Sequence, residues 1–195
     1  MEALALDLKK RYTYADYLAW IDGIRRELID GFIKMMAGST QHHGVVCRNI
    51  GGHLFMYTNN NKCGCEVFYA PIDVLLPKNG ETDNNKIYDV VQPDIFVVCG
   101  GWKGAINAFL GAPDMIVEIL SPSNRKKDLF DKFFLYQRSG VREYWIADPE
   151  VKTITVYLMQ QDGEYDDGKV YQTGQKIPVH TLNGHLIDLN DIFDF

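Results

Sequence analysis

The 195-residue chain holds no apolar run that approaches the roughly 20 residues of a membrane-spanning helix. It has no glycine-rich loop of the kind that cradles phosphates and no dinucleotide fingerprint, so nucleotide-binding folds built on those loops are set aside. No Gly-x-Ser-x-Gly elbow surrounds Ser121, which removes that serine as a hydrolase nucleophile. Repeats and low-complexity segments are absent. There is no basic excess either: 20 Lys and Arg stand against 26 Asp and Glu, a formal charge of -6. Non-specific nucleic-acid binders usually carry a basic footprint, because neutralising phosphates drives their affinity. Net charge does not describe local patches, however, and a carboxylate-rich metal site adds negative charge of its own. Cysteine is scarce. Of the four, Cys63 and Cys65 are separated by one residue, which is not the zinc-knuckle spacing. The expectation is of buried or incidental free thiols in a reduced protein. Met1 is followed closely by Glu2, Asp7 and Lys9, unlike a signal peptide, so a cytoplasmic location is expected.

What is present is enough apolar material for a core. Hydrophobic residues make up 46% and aromatic residues 12%, which argues for one folded domain rather than disorder. Thr13 to Trp20 reads as a short helix, with Thr13 as N-cap and Asp16 in an imperfect capping box. Glu27 to Met36 reads as a hairpin turning at Asp30-Gly31. Val46, Ile50, Leu54 and Tyr57 mark one face of a helix from Thr40 to Thr58. Three strands follow, Cys65 to Leu76, Asp89 to Val98 and Met115 to Leu120, the last apolar enough to be buried on both faces. Pro122 and Ser123 stop it. A helix is expected from Lys126 to Ser139, with Leu129, Phe133 and Tyr136 on one face and Gly140 beyond its end. Val141 to Ala147 is a strand, and Thr153 to Met159 an alternating, edge-type strand. The order implies an α/β or α+β fold around one mixed central sheet flanked by helices. The core would run from about 14 to 158, and a small C-terminal β annex would fill 159–195.

Glu118 is the most informative residue, a carboxylate inside Met115-Ile116-Val117-Glu118-Ile119-Leu120. A buried carboxylate must be paired, protonated or bound to a metal. Asp94 follows Pro93 and opens the apolar run Ile95 to Val98, where a proline would bend the strand into a cleft. Asp94 and Glu118 lie on consecutive strands. Lys132 sits on the helix after Glu118, sharing a stripe with Asp128 and Tyr136. Asp128 and Lys132 could also form an ordinary surface pair. Glu27 at the start of the hairpin, His43 near the start of the long helix, and Asp73 inside an apolar strand are weaker candidates.

Several segments together resemble the Uma-two family of the PD-(D/E)xK nuclease superfamily. They are Glu27-Leu28-Ile29-Asp30-Gly31, His43, Pro93-Asp94, Val117-Glu118-Ile119-Leu120-Ser121-Pro122-Ser123, Asp128, Lys132, Tyr136, and the run from Gly140 to Pro149 containing Glu143-Tyr144-Trp145-Ile146-Ala147-Asp148-Pro149. The resemblance spans about Tyr14 to Tyr157 and continues more loosely to the end. It implies a restriction-endonuclease-like core and a metal-dependent endonuclease acting on nucleic acid, with DNA the expected polymer. Asp94 and Glu118 would hold Mg2+ or Mn2+, for which their two carboxylates would need to lie within about 5 Å. The lysine usually found two residues after the Glu is replaced by Leu120, and Lys132 is the implied substitute. Glu27, His43 and Asp73 would extend the site. A homodimer would be the simplest arrangement for cutting both strands of a duplex. The competing expectation is a non-catalytic module that keeps the fold and binds nucleic acid or protein. A third is a structural role for Glu118 and Lys132 as a buried ion pair.

Overall fold

The computed structural model describes residues 4–36, 38–121 and 127–195. The chain opens with helix α1 (Tyr14–Leu18), where both halves of the Thr13–Asp16 capping box form. Strands β1 (Arg26–Ile29) and β2 (Phe32–Met35) make the hairpin expected from Asp30-Gly31. Both turn residues have positive φ, 51° and 81°, as the tight turn requires. Helix α2 (Gln41–Asn61) is capped by Thr40, whose side chain accepts from the His43 backbone N–H, and buries Val46, Ile50 and Leu54 along one stripe.

The next two apolar runs do not form one strand each. Cys65 to Leu76 divides into β3 (Cys65–Tyr69) and β4 (Asp73–Leu75), separated at Pro71. Asp89 to Val98 divides into β5 (Val90–Val91) and β6 (Ile95–Cys99), separated at Pro93. Proline has no N–H to give a ladder, so each run breaks there and passes from one sheet to another. The chain continues through β7 (Gly104–Ala105), β8 (Ala108–Leu110) and β9 (Met115–Ile119) to helix α3 (Lys127–Ser139). Strands β10 (Glu143–Asp148), β11 (Thr153–Leu158) and β12 (Lys169–Gln172) follow. The end is a hairpin of β13 (Lys176–Val179) and β14 (His185–Asp188) with the short helix α4 (Leu189–Ile192). Within 159–195 this hairpin forms its own two-stranded sheet, called the C-terminal annex below, while β12 of the same stretch pairs with β11.

The fold is mixed α+β, but the described strands form two six-stranded mixed sheets instead of the one expected. The first runs β2-β1-β5-β4-β8-β7 and the second β12-β11-β10-β9-β6-β3. The prolines explain the difference, since neither break is visible as a change in apolar pattern. Strand β11 is interior, paired with both β10 and β12, so Thr153 to Leu158 is not an edge. Cys65 and Cys99 face each other across β3 and β6 and form a disulfide, which corrects the free-thiol expectation for this pair. Cys47 and Cys63 are free.

The layers follow from side-chain alternation. One face of the second sheet packs Ile95, Val97, Val117 and Trp145 against α2 and the C-terminal annex. Its other face packs Phe96, Ile116 and Tyr144 against Tyr136 of α3 and against Ile29, Val74 and Val91 of the first sheet. The far face of the first sheet is covered by Tyr12 and Tyr14 over Leu28 and Val90. Strand β9 is buried along its whole length, as expected of a central strand.

Candidate active site

Sheet register sets the two central carboxylates against one another. Ile95 pairs with Val117 in the antiparallel β6–β9 ladder, so Asp94, one residue earlier, falls opposite Glu118, one residue later. Directly opposed residues on antiparallel strands share a face. The Asp94 carboxylate is fixed at both oxygens: Oδ2 accepts from the Ile119 backbone N–H at 2.8 Å, and Oδ1 lies 3.1 Å from His43 Nε2. The Thr40 cap therefore places His43, and His43 holds Asp94. The hydrogen bond to Asp94 raises the His43 imidazole above its ordinary pKa, against the opposing effect of burial.

Glu118 is reached from α3. Lys132 Nζ donates to Glu118 Oε1 at 2.8 Å, and Tyr136, one turn later, donates to the same oxygen at 2.6 Å. The Lys132 ammonium also donates to Glu27 Oε1 at 2.9 Å. It is thus shared between the first sheet, through Glu27 on β1, and the second, through Glu118 on β9. All three side chains are nearly excluded from water. Burial pushes the Glu118 carboxyl up to about 7 despite the pull of Lys132, and the nearby Asp94 and Glu27 charges add to the rise. Burial alone would lower the Lys132 ammonium, but the two carboxylates outweigh it and hold the group above its usual range. The Tyr136 hydroxyl is raised by burial and by the Glu118 charge.

Glu27 has a second tie: its Oε1 accepts from the backbone N–H of Gln92 at 2.8 Å. The Gln92 side chain donates to Asp73 Oδ1 at 2.8 Å and to the Tyr17 hydroxyl at 3.2 Å, while its oxygen accepts from Arg25 Nε at 2.9 Å. Asp73 also accepts from Tyr17 at 3.1 Å, and burial raises its carboxyl.

The structure therefore brings Glu27, His43, Asp94, Glu118 and Lys132 to one cleft. Asp73 stands behind Gln92, to which it is hydrogen-bonded, and does not itself line the cleft. The Asp128 side chain, like Pro122 and Ser123, lies outside the described residues, and Lys132 is engaged by Glu27 and Glu118. Sequence reasoning did not single out Gln92 or Arg25. The signal for Gln92 was a polar residue between Val90-Val91 and Pro93; nothing in the pattern marked Arg25. Tyr136 was visible as the residue one turn beyond Lys132, but not as a ligand of Glu118.

Among the described residues, no three His, Cys, Asp or Glu side chains gather into a ready-made metal cage. Two opposed carboxylates lining a cleft nevertheless suit a hard ion such as magnesium, which keeps several waters and is commonly held by one or two carboxylates plus substrate oxygens.

Asp94 and Glu118 thus face each other near the ends of β6 and β9, with Lys132 set between Glu118 and Glu27. The chain belongs to the Uma2 family, described as "Putative restriction endonuclease", whose model matches residues 14–190. An uncharacterized protein of Synechocystis is 26% identical over 154 residues, covering 77% of this chain and 75% of that one. A crystal structure described as a putative nuclease belonging to DUF820, from Anabaena variabilis, superposes with a TM-score of 0.74 at 20% identity, covering 94% of this chain and 98% of that one. At that identity the likeness establishes the shared fold. Among the described residues, no helix is long and apolar enough to cross a membrane.

Proposed function

We propose that the chain is a magnesium- or manganese-dependent endonuclease that hydrolyses phosphodiester bonds, with DNA as its substrate. Asp94 and Glu118 hold the metal, and Lys132 is the third catalytic group. The observation that carries this reading is the opposition of Asp94 and Glu118 across β6 and β9, with Lys132 beside Glu118 in the same cleft. When bound, the ion supplies polarisation of a phosphoryl oxygen and a lowered pKa for an attacking water. The residues of the chain supply the rest. His43 and the Ile119 N–H fix the plane of the Asp94 carboxylate before any ligand arrives. Tyr136 and Lys132 do the same for Glu118. The Lys132 ammonium, set by two carboxylates, stabilises charge that develops on the phosphoryl group in the transition state. Glu27 and Gln92 orient Lys132 from the opposite sheet.

A second reading is supported by the charge of -6 and by Leu120 standing where the in-line lysine would be: a module that keeps the fold and binds nucleic acid or protein without cutting. Calorimetric titration of manganese into the wild type and into Glu118→Ala separates the two. Binding that disappears in the variant, together with metal-dependent nicking of plasmid DNA by the wild type alone, is the expected result. A wild type that binds no manganese, even with DNA present, would overturn the endonuclease reading and favour the module.

A further inference from the structure

The cleft is strongly acidic for a site that takes a phosphodiester. Glu27, Asp94 and Glu118 line it, and Lys132, the cation among them, is already shared by two of the three. Neighbouring cations are committed elsewhere: Arg26 to Asp22 at 2.6 Å and Lys34 to Asp131. Arg25 differs. It is exposed, it lines the same cleft, and it makes no ion pair with a carboxylate among the described residues.

Its hydrogen-bond partner is a neutral amide, and that amide cannot turn. Gln92 is buried, 7% exposed. Its Nε2 donates to the Asp73 carboxylate, an acceptor only, so its oxygen must face Arg25 Nε. A flipped amide would set donor against donor at Arg25 and acceptor against acceptor at Asp73. The guanidinium is therefore held at one edge; its charge reaches the Asp73 carboxylate behind Gln92, but among the described residues its terminal nitrogens make no hydrogen bond or ion pair. The same Gln92 holds Glu27 through its backbone N–H, so the grip on Arg25 and the grip on the Lys132 pair share one residue.

Resting on the endonuclease reading, we propose that Arg25 binds a phosphodiester oxygen of the substrate at the mouth of the cleft, and that Gln92 is the residue that positions it. A guanidinium fork matches two phosphate oxygens, and one fixed in advance loses little freedom on binding. The ligand chemistry is the sugar–phosphate backbone, shared by DNA and RNA.

The test is fluorescence anisotropy with a short fluorescein-labelled DNA duplex and a single-stranded RNA of the same length, in calcium, across a salt series. Arg25→Ala is expected to weaken binding of the cognate polymer by about tenfold, the loss of one charge-assisted hydrogen bond. It should lower the slope of log affinity against log salt by about one. Arg25→Lys should keep the slope and recover part of the affinity. Gln92→Leu should weaken binding while keeping the slope, because the charge remains but its placement is lost. Whichever polymer shows the Arg25 dependence is the one this residue reads. If Arg25→Ala binds with wild-type affinity and slope, the proposal fails while the endonuclease reading stands. If the wild type binds neither polymer, the endonuclease reading fails first and the proposal with it. Arg25 is exposed, so its variants should stay folded, and melting curves recorded beside the anisotropy separate any loss at the Gln92 oxygen from the loss of binding.

Discussion

Replacing Lys132 with methionine removes the ammonium shared by Glu27 and Glu118 while keeping a flexible apolar stem of similar length. The three side chains are only 9%, 6% and 11% exposed, so water cannot take over the lost partner. Breaking a buried ion pair by deleting one member costs about 3–5 kcal/mol. For a chain of this size that corresponds to a fall of roughly 6–20 °C in midpoint. The loss should depend on pH, and its sign follows from Glu118. The folded-state pKa of that carboxyl is raised to about 7 from an ordinary value of 4.5, chiefly by burial. A group whose folded pKa is raised contributes stability below its unfolded value and loses it as pH rises through the folded value. Lys132 currently pulls Glu118 down, so the variant should titrate higher still. The Lys132 contribution is itself constant across this range, because the ammonium is held above its ordinary pKa. At about pH 5 Glu118 is protonated in both proteins and the variant loses mainly the Glu27 contact, whereas at about pH 8 the wild type gains a Lys132–Glu118 ion pair that the variant lacks, so the loss is larger. Thermal denaturation of both proteins at the two pH values reads this directly. Millimolar manganese should restore part of the loss at the higher pH, since an ion that binds only the folded state stabilises it. An equal loss at both pH values, or none, would refute the view that Lys132 neutralises a crowded carboxylate site.

Tyr136→Phe removes the hydroxyl that donates to Glu118 at 2.6 Å and should cost about 1–3 kcal/mol in chemical denaturation, with the fold retained; an unchanged midpoint would mean that Lys132 alone satisfies that oxygen. Asp94→Ala should abolish manganese binding in calorimetry while circular dichroism stays native, and wild-type binding would remove Asp94 from the metal site. Reducing the Cys65–Cys99 disulfide, which closes a loop of 34 residues in sequence separation, should lower stability by about 3–4 kcal/mol in the chain-entropy picture; identical melting with and without reductant would show that the bond adds nothing beyond the β3–β6 ladder.

The sequence showed the elements more clearly than their assembly. The hairpin at Asp30-Gly31, the stripe on α2 and the buried strand β9 were legible, because each rests on a local rule: a turn dipeptide, a helical period, an unbroken apolar run. The division into two sheets was not. Pro71 and Pro93 sit inside runs whose apolar pattern continues on both sides, and pattern alone cannot say that a strand has changed partners. Cys65 and Cys99 are 34 residues apart, and only the β3–β6 register sets them opposite. In the site, Asp94, Glu118 and Lys132 announced themselves as polar residues in apolar surroundings or by resemblance. Gln92 and Arg25 did not, because their roles come from contacts between segments of the first sheet that are far apart in sequence. Asp73 looked like a ligand for the same reason as Glu118, yet its polar partners are Gln92 and Tyr17.

Among the described residues, two backbone amides are bound to carboxylates of the site instead of to a neighbouring strand. The Gln92 N–H is tied to Glu27 and the Ile119 N–H to Asp94, one for each sheet. Any event that changes the charge or position of those carboxylates must alter the strength of these two bonds. The polypeptide thus carries its own pair of spectroscopic reporters: the amide resonances of Gln92 and Ile119 would register protonation, ion entry or a shift between the layers, with no label added to the cleft.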